Sequence, residues 1–330
     1  MVERLTRRAL VAAGLGVPVL GLPGTRLRAQ PRFPSRTVRI VVPYAVGVGP
    51  DVVTRSVAEN LSRHWRQAVI VDNKPGASGI VAFGDLRRAP ADGYTLYLAD
   101  TATMAVNPLI HATLPYDPVR DLVPLTLLFR ATFVILVGGR SRFQTLAQML
   151  DSARREPGRV SYASLGNGHA SQVAIESMAR AAGVQMLHVP FKGGAQAMPA
   201  VVAGEVGLSF ATIVSSLPLV EAGKLRGLAV TSAKRFPSAK AYPTVAESGL
   251  PGYEAVAWYG VFAPAGTPRE IVQQLNADIM KIVNSPEVRE LFLKQGAESY
   301  ATTPEEFAKV VQRDVAKWAN VVKESGAKAD

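Results

Sequence analysis

Two glycine loops that lead into helices are the parts of this 330-residue chain best suited to chemistry. The first, Pro43-Tyr44-Ala45-Val46-Gly47-Val48-Gly49-Pro50-Asp51, follows the β-branched run Val38–Val42. The second, Ser164-Leu165-Gly166-Asn167-Gly168-His169-Ala170-Ser171, follows Val160–Ser164. Such loops turn backbone N–H groups toward an anion, and the helix N-terminus adds about half a positive charge. One loop on each side of a cleft would clamp a small carboxylate without any arginine. Either loop alone also reads as plain strand-to-helix turn chemistry. Neither completes G-x-G-x-x-G, because the third position is Val52 in one and Ser171 in the other, so a dinucleotide site is disfavoured. The sequence has no G-x-S-x-G elbow and no G-x-x-x-x-G-K-S/T loop, so the hydrolase and NTPase readings lack their motifs.

Other polar residues sit where strands end. Thr101 and Thr103 could offer hydroxyls to a ligand or cap the next helix. Asp100 would repel a carboxylate, so it reads as a cap or as the holder of a ligand amine. His169 opens a helix and could donate to an anion or serve only as a cap. Lys192, in Pro190-Phe191-Lys192-Gly193-Gly194, is a solvated lysine or a ligand contact. Trp258 and Tyr259 read as core or hinge packing.

Composition removes whole classes. There is no cysteine, so disulfides, zinc ribbons, thiolate clusters and cysteine nucleophiles are excluded. The four histidines (His64, His111, His169, His188) form no local metal motif. No cofactor and no metal are expected. The net charge is +11, spread without dense basic runs or interleaved aromatics, which reads as a solvated surface with a mild taste for anions rather than a nucleic-acid binder.

The elements that must position these loops alternate. Strands are expected at Val38–Val42, Val69–Asp72, Tyr94–Ala99, Pro124–Phe129, Phe133–Val137, Val160–Ser164, Gln185–Val189, Val206–Phe210, Leu225–Val230 and Ala255–Phe262. Helical stretches separate most of them, including Leu217–Ala222, and three helices close the chain. The last, Thr303–Ser325, has the stripe Phe307, Val310, Val311, Val315, Trp318 and Val322, with a capping box from Thr303 to Glu306. Strand–helix alternation implies mainly parallel sheets, one on each side of about residue 138. Residues 1–29 read as a secretory signal peptide: Arg7-Arg8, an apolar heart too short to span a bilayer, then Leu27-Arg28-Ala29. The Arg pair is compatible with either Sec or twin-arginine export. The mature chain is expected in the periplasm.

With these residues in view, the chain resembles the Bug (TctC-type) family of periplasmic solute receptors of tripartite tricarboxylate transporters. The markers include Arg39-Ile40-Val41-Val42-Pro43-Tyr44, Asn73-Lys74-Pro75-Gly76-Ala77, Asp92-Gly93-Tyr94-Thr95-Leu96, Leu114-Pro115-Tyr116-Asp117-Pro118 and His188-Val189-Pro190-Phe191-Lys192-Gly193. Pro243 to Tyr253 and Ala263-Pro264-Ala265-Gly266-Thr267-Pro268 complete the set.

The resemblance implies an α/β, two-domain periplasmic-binding-protein (Venus-flytrap) fold, each domain a mainly parallel sheet flanked by helices. Residues 36–132 and 258–330 would form domain 1 and 133–257 domain 2. It implies a binding protein, not an enzyme, that captures a small carboxylate and delivers it to TctA/TctB-like membrane subunits. A sensor docking on a receptor kinase, or an exported enzyme acting on a carboxylate, are the alternatives; a monomer is expected. By position the ligand set would include Tyr44, Gly47, Thr101, Thr103, Ser164, Gly166, Asn167, Gly168 and Ser171, and the full candidate set adds Ala45, Gly49, His169, Lys192 and Thr212. The chain departs from the family pattern at Val48 and Pro50 in the first loop, at Ala211 where an acid is frequent, and at His169 and Gln172. The loss of the acid at Ala211 makes an amino acid a less suitable ligand than a plain carboxylate.

Overall fold

The computed structural model describes residues 33–47, 49–166, 169–191 and 193–325. The expected export segment 1–29 lies outside them, as do Val48 and three candidate ligand residues, Asn167, Gly168 and Lys192. The chain opens with β1 (Val38–Val42), α1 (Gly49–Trp65), β2 (Val69–Asn73), α2 (Ile80–Leu86) and β3 (Thr95–Asp100). A helical turn over Ala102–Val106 leads into α3 (Asn107–Ile110), and then β4 runs from Leu122 to Gly138. Next come α4 (Leu146–Arg155), β5 (Ser161–Ser164), α5 (Ala170–Ala181), β6 (Leu187–Pro190), α6 (Gly194–Ala203), β7 (Leu208–Thr212), α7 (Ile213–Glu221) and β8 (Leu225–Val230). The chain closes with β9 (Val256–Pro264), α8 (Arg269–Val283), α9 (Pro286–Lys294), β10 (Ala297–Ser299) and α10 (Pro304–Ser325).

These elements build two sheets that share β4. The first runs β2-β1-β3-β9-β4-β10 and the second β6-β5-β7-β4-β8. Parallel pairing is confined to the crossover strands, β2-β1-β3 and β6-β5-β7. Every pair made by β4 or β9 is antiparallel, so the sheets are mixed rather than mainly parallel. Alternation of strand and helix speaks only for the crossover units; it is blind to long strands returning from the other half.

The strands expected at Pro124–Phe129 and Phe133–Val137 are one strand of 17 residues. Arg130 and Thr132 interrupt the apolar run and read as a break. In the structure they lie at the passage from one sheet to the other. Arg130 stacks on the Tyr300 ring at 3.6 Å, and Thr132 pairs with Val256 of β9 just before Phe133 pairs with Thr212 of β7. Helix α7 starts four residues earlier than expected, because Ser216 Oγ bonds the Thr212 and Ile213 carbonyls and lets the helix run into Pro218. The short β10 has no sequence periodicity of its own and is held by pairing with β4.

The carboxy-terminal helices cover the first sheet. Asp278 of α8 accepts from Trp65 Nε1 at 2.7 Å, and Asn276 donates to the Leu125 and Thr302 carbonyls. The capping box at the start of α10 is present: Thr303 N–H donates to Glu306 Oε2 at 2.9 Å, and Glu306 N–H donates to Thr303 Oγ1 at 3.2 Å. Phe307, Val311 and Trp318 of its stripe are buried. Phe307 meets Trp258 edge-on and lies against Phe262, over Gly260, where an added Cβ would stand 2.3 Å from the ring. Among the described residues no helix is long and apolar enough to cross a membrane.

Candidate functional site

The carboxyl end of β3 carries a buried carboxylate that organises the first half of the site. Asp100 Oδ1 accepts from the Thr103 N–H at 2.8 Å and from its hydroxyl at 2.5 Å, and Oδ2 accepts from the Tyr44 hydroxyl. Asp100 therefore caps the helical turn after β3, one of the two roles its position suggested. Burial and the Asp100 charge push the Tyr44 hydroxyl well above the usual phenol range, so it stays a donor. Thr101 Oγ1 accepts from the Trp258 N–H at 3.1 Å, which ties β9 to the same point. Beneath them Tyr44 meets Tyr259 edge-on at 6.0 Å, and Tyr259 stacks on Phe129 at 4.5 Å. The hydroxyls of Tyr44 and Thr103 are thus spent within the protein.

The first loop is braced the same way. Gly47, at φ +85°, donates its N–H to Asp51 Oδ2 at 2.8 Å. Asn73 Nδ2 bridges the Tyr44 carbonyl (3.0 Å) and Asp51 Oδ1 (2.8 Å). Arg55 Nε reaches Asp51 at 3.0 Å. Burial alone would raise the Asp51 carboxyl; Arg55, the Gly47 N–H and Asn73 outweigh it and hold it below the usual range. The tip stays open: Ala45, Gly47 and Gly49 are exposed, and Val46 is 71% exposed.

In the second half, β5 ends at the fully buried Ser164. Its hydroxyl donates to the Gly166 carbonyl at 3.1 Å and is hydrogen-bonded with His188 Nε2 at 2.7 Å. His188 stacks on Tyr162 at 4.9 Å, and its Nδ1 faces Gln172 Nε2 at 3.4 Å. His169 is the N-cap of α5: its Nδ1 accepts from the Ser171 N–H at 3.0 Å. Ser171 Oγ accepts from the Leu165 N–H at 3.2 Å and so closes the loop. Burial lowers the pKa of His169, against a smaller upward pull from Asp100, and burial lowers His188 as well. Both rings are neutral at neutral pH. With Nδ1 of His169 accepting, its proton sits on Nε2, leaving that atom a donor.

The two halves meet here. His169 feels the Asp100 charge, and Thr101 walls one small void together with Ala170 and Val173 of α5. Tyr44, Thr101 and Thr103 gather around Asp100, while Ser164, Gly166, His169 and Ser171 gather at the start of α5. Thr212 ends β7, whose strand pairs with that of Ser164, and its hydroxyl bonds Ser215 Oγ at 3.0 Å; among the described residues none of its hydrogen bonds reaches the two clusters. Ala211 is packed in the apolar cluster of Val134, Ala163 and Val230. Sequence reasoning missed the Asn73–Asp51 brace and the Ser164–His188 contact. The latter has the spacing of a nucleophile and its base. The Ser164 hydroxyl also donates to the Gly166 carbonyl, and among the described residues no carboxylate hydrogen-bonds the His188 ring.

This fold, with strand-end loops on two sheets joined by a shared strand, is that of a two-domain periplasmic solute-binding protein. Its match to the tripartite tricarboxylate transporter family receptor, TctC, extends over residues 53–327, and the chain belongs to that family. It is similar to the protein BugT of Bordetella pertussis, with 30% identity over 97% of this chain and 95% of the relative. Among solved structures it resembles Rpa4515 of R. palustris with adipate (TM-score 0.82, 34% identity, 90% of this chain and 99% of that one). It also resembles MatC of Rhodopseudomonas palustris with bound malate (TM-score 0.76, 30% identity, 88% of this chain and 100% of that one).

Proposed function

We propose that this protein works in the periplasm, reached through the export segment 1–29 by the Sec or twin-arginine route. There it captures a small carboxylate between its two halves and delivers it to TctA/TctB-like transporter subunits. The observation that carries this reading is the start of α5: a helix N-terminus with no acidic side chain in its first turn, capped by a neutral imidazole, facing the end of β3 from the other half. Such an end attracts an anion through its N–H groups and its dipole. The ligands named for the relatives, adipate and malate, are small carboxylates. The candidate contacts are the loop residues named above, with Asn167, Gly168 and Lys192 among them.

Domain boundaries near 132–133 and 257–258 fit this reading, because there β4 leaves β9 and takes up β7 and β8. Closure is a hinge motion in Phe129–Val137 and Gly252–Phe262. The expected role is capture without covalent chemistry, as a monomer, with no metal or organic cofactor. Native mass spectrometry of protein purified from its own periplasm tests the reading: a co-purifying organic acid supports it. Solution scattering that shows no compaction with any member of a broad carboxylate panel would sink it.

A further inference from the structure

The last helix reaches both halves of the molecule. Helix α10 is rooted on the first sheet, where Phe307 lies over Gly260 and Asp314 holds the Trp258 indole. Further along it touches the other half. Lys317 Nζ donates to the Glu254 carbonyl at 3.0 Å. The residues beside Glu254 are bound to that half. The Tyr253 hydroxyl donates to the Ala174 carbonyl of α5 at 2.8 Å, and the Ala255 N–H donates to the Thr231 carbonyl, just past β8, at 2.9 Å. Trp318, 4% exposed, is packed in one apolar cluster with Val173 of α5 and with Val106 and Ile110 of the first half.

One face of α5 takes these contacts. Ala170, Val173 and Ala174 wall a void of about 10 Å³ with Trp318 and Thr101, and Ser177 and Ala181 line a crevice of about 400 Å³ with Lys317. Positions 170, 173, 174, 177 and 181 recur at helical spacing, so α10 lies against the shaft of the helix whose start carries His169. The void shows that this contact is not filled as a permanent interior is. The two helices can therefore part without breaking a close-packed core, and the Lys317 bond and the Trp318 cluster are what oppose it.

Resting on the capture reading above, we infer that Lys317 and Trp318 are positioning residues for ligand capture: they grip α5, hold its start facing the end of β3, and without them the two halves spend more time apart. A protein whose halves must first come together binds with an affinity reduced by the fraction of time it is competent. The tie therefore acts on every ligand of the cleft alike, by setting how far the halves stand from each other.

The chain has no cysteine, so Glu59→Cys on α1 and Leu217→Cys on α7, both exposed, take one spin label each, one on either half. Spin–spin distance measurements on the purified, ligand-free protein compare Lys317→Met, Lys317→Arg and Trp318→Leu in that background. Lys317→Met keeps the stem and loses the donor. It is expected to raise the population at longer distances about threefold or more, and Trp318→Leu is expected to shift it the same way. Lys317→Arg is expected to restore the parent distribution. A distribution that Lys317→Met and Trp318→Leu both leave unchanged overturns the inference and leaves carboxylate capture standing, since no ligand enters the measurement. A shift that Lys317→Arg fails to rescue, with an equal loss of melting temperature in all three variants, marks a purely structural role and overturns it too. Failure of the carboxylate reading would show instead in the mass-spectrometric test and leave these distances as they are.

Discussion

Trp258 Nε1 donates to Asp314 Oδ2 at 2.6 Å, joining β9 to the last helix. Asp314 is 6% exposed, and its other oxygen meets Arg313 at 3.2 Å. The bond is charge-assisted and shielded from water. Asp314→Asn keeps the shape and removes the charge. It is expected to cost about 1.5–3 kcal/mol of unfolding free energy, measured by denaturant titration, with ligand affinity unchanged.

Tyr44→Phe separates positioning from contact. The variant leaves Asp100 Oδ2 buried without its donor, at an expected cost of about 1–3 kcal/mol. Because the hydroxyl is already committed to Asp100, carboxylate affinity is expected to change little beyond what the stability loss imposes. Thermal melts and calorimetry on the same preparation check both halves. A loss of affinity of about a hundredfold without loss of stability would place the hydroxyl on the ligand.

Two glycines answer to different constraints. Gly260 has no room: a Cβ would stand 2.3 Å from Phe307 and 3.0 Å from the Thr126 carbonyl. Gly260→Ala is expected to cost about 1–3 kcal/mol through overpacking. Gly47 has open space but φ +85°, so Gly47→Ala costs about 1 kcal/mol through backbone strain alone. Equilibrium unfolding of the two variants ranks them.

Acid should weaken the fold through two rings. Burial lowers the pKa of His169 and His188. The unfolded chain therefore takes up protons first as pH drops below about 6.5. Their contribution is full above that value and is lost as pH falls through the folded-state pKa values. Melting temperature is expected to fall from neutral pH toward about pH 5. His169→Asn keeps a capping acceptor, removes one titrating ring and is expected to flatten part of that slope. An unchanged slope refutes the assignment to His169.

The crossover units were legible because local signals define them. β-branched runs such as Val38–Val42, the Thr303–Glu306 capping box and Leu146–Arg155 stand in the structure as read. Family membership was legible too, carried by many short markers in order. What escaped depends on contacts distant in sequence. The unity of β4 is set by partners more than a hundred residues away, β9 and β10, and no window across Arg130–Thr132 contains them. In the site, residue types named the polar groups but not where their hydrogen bonds go. Gly47 and Thr103 look like open donors on paper and are spent on Asp51 and Asp100 in the fold. Asn73, just past the strand expected at Val69–Asp72, is the brace between Tyr44 and Asp51.

The shared strand β4 also governs how such a molecule can be recombined. The halves part inside a strand, since β4 serves β9 and β10 up to Thr132 and β7 and β8 from Phe133. A chimera that borrows one half from a relative must splice in the middle of a strand. There, a slip of one residue would turn every following side chain to the opposite face. Grafts in phase at that junction should fold, while insertions of a single residue should not, so exchange of whole lobes between relatives is a question of parity as much as of sequence.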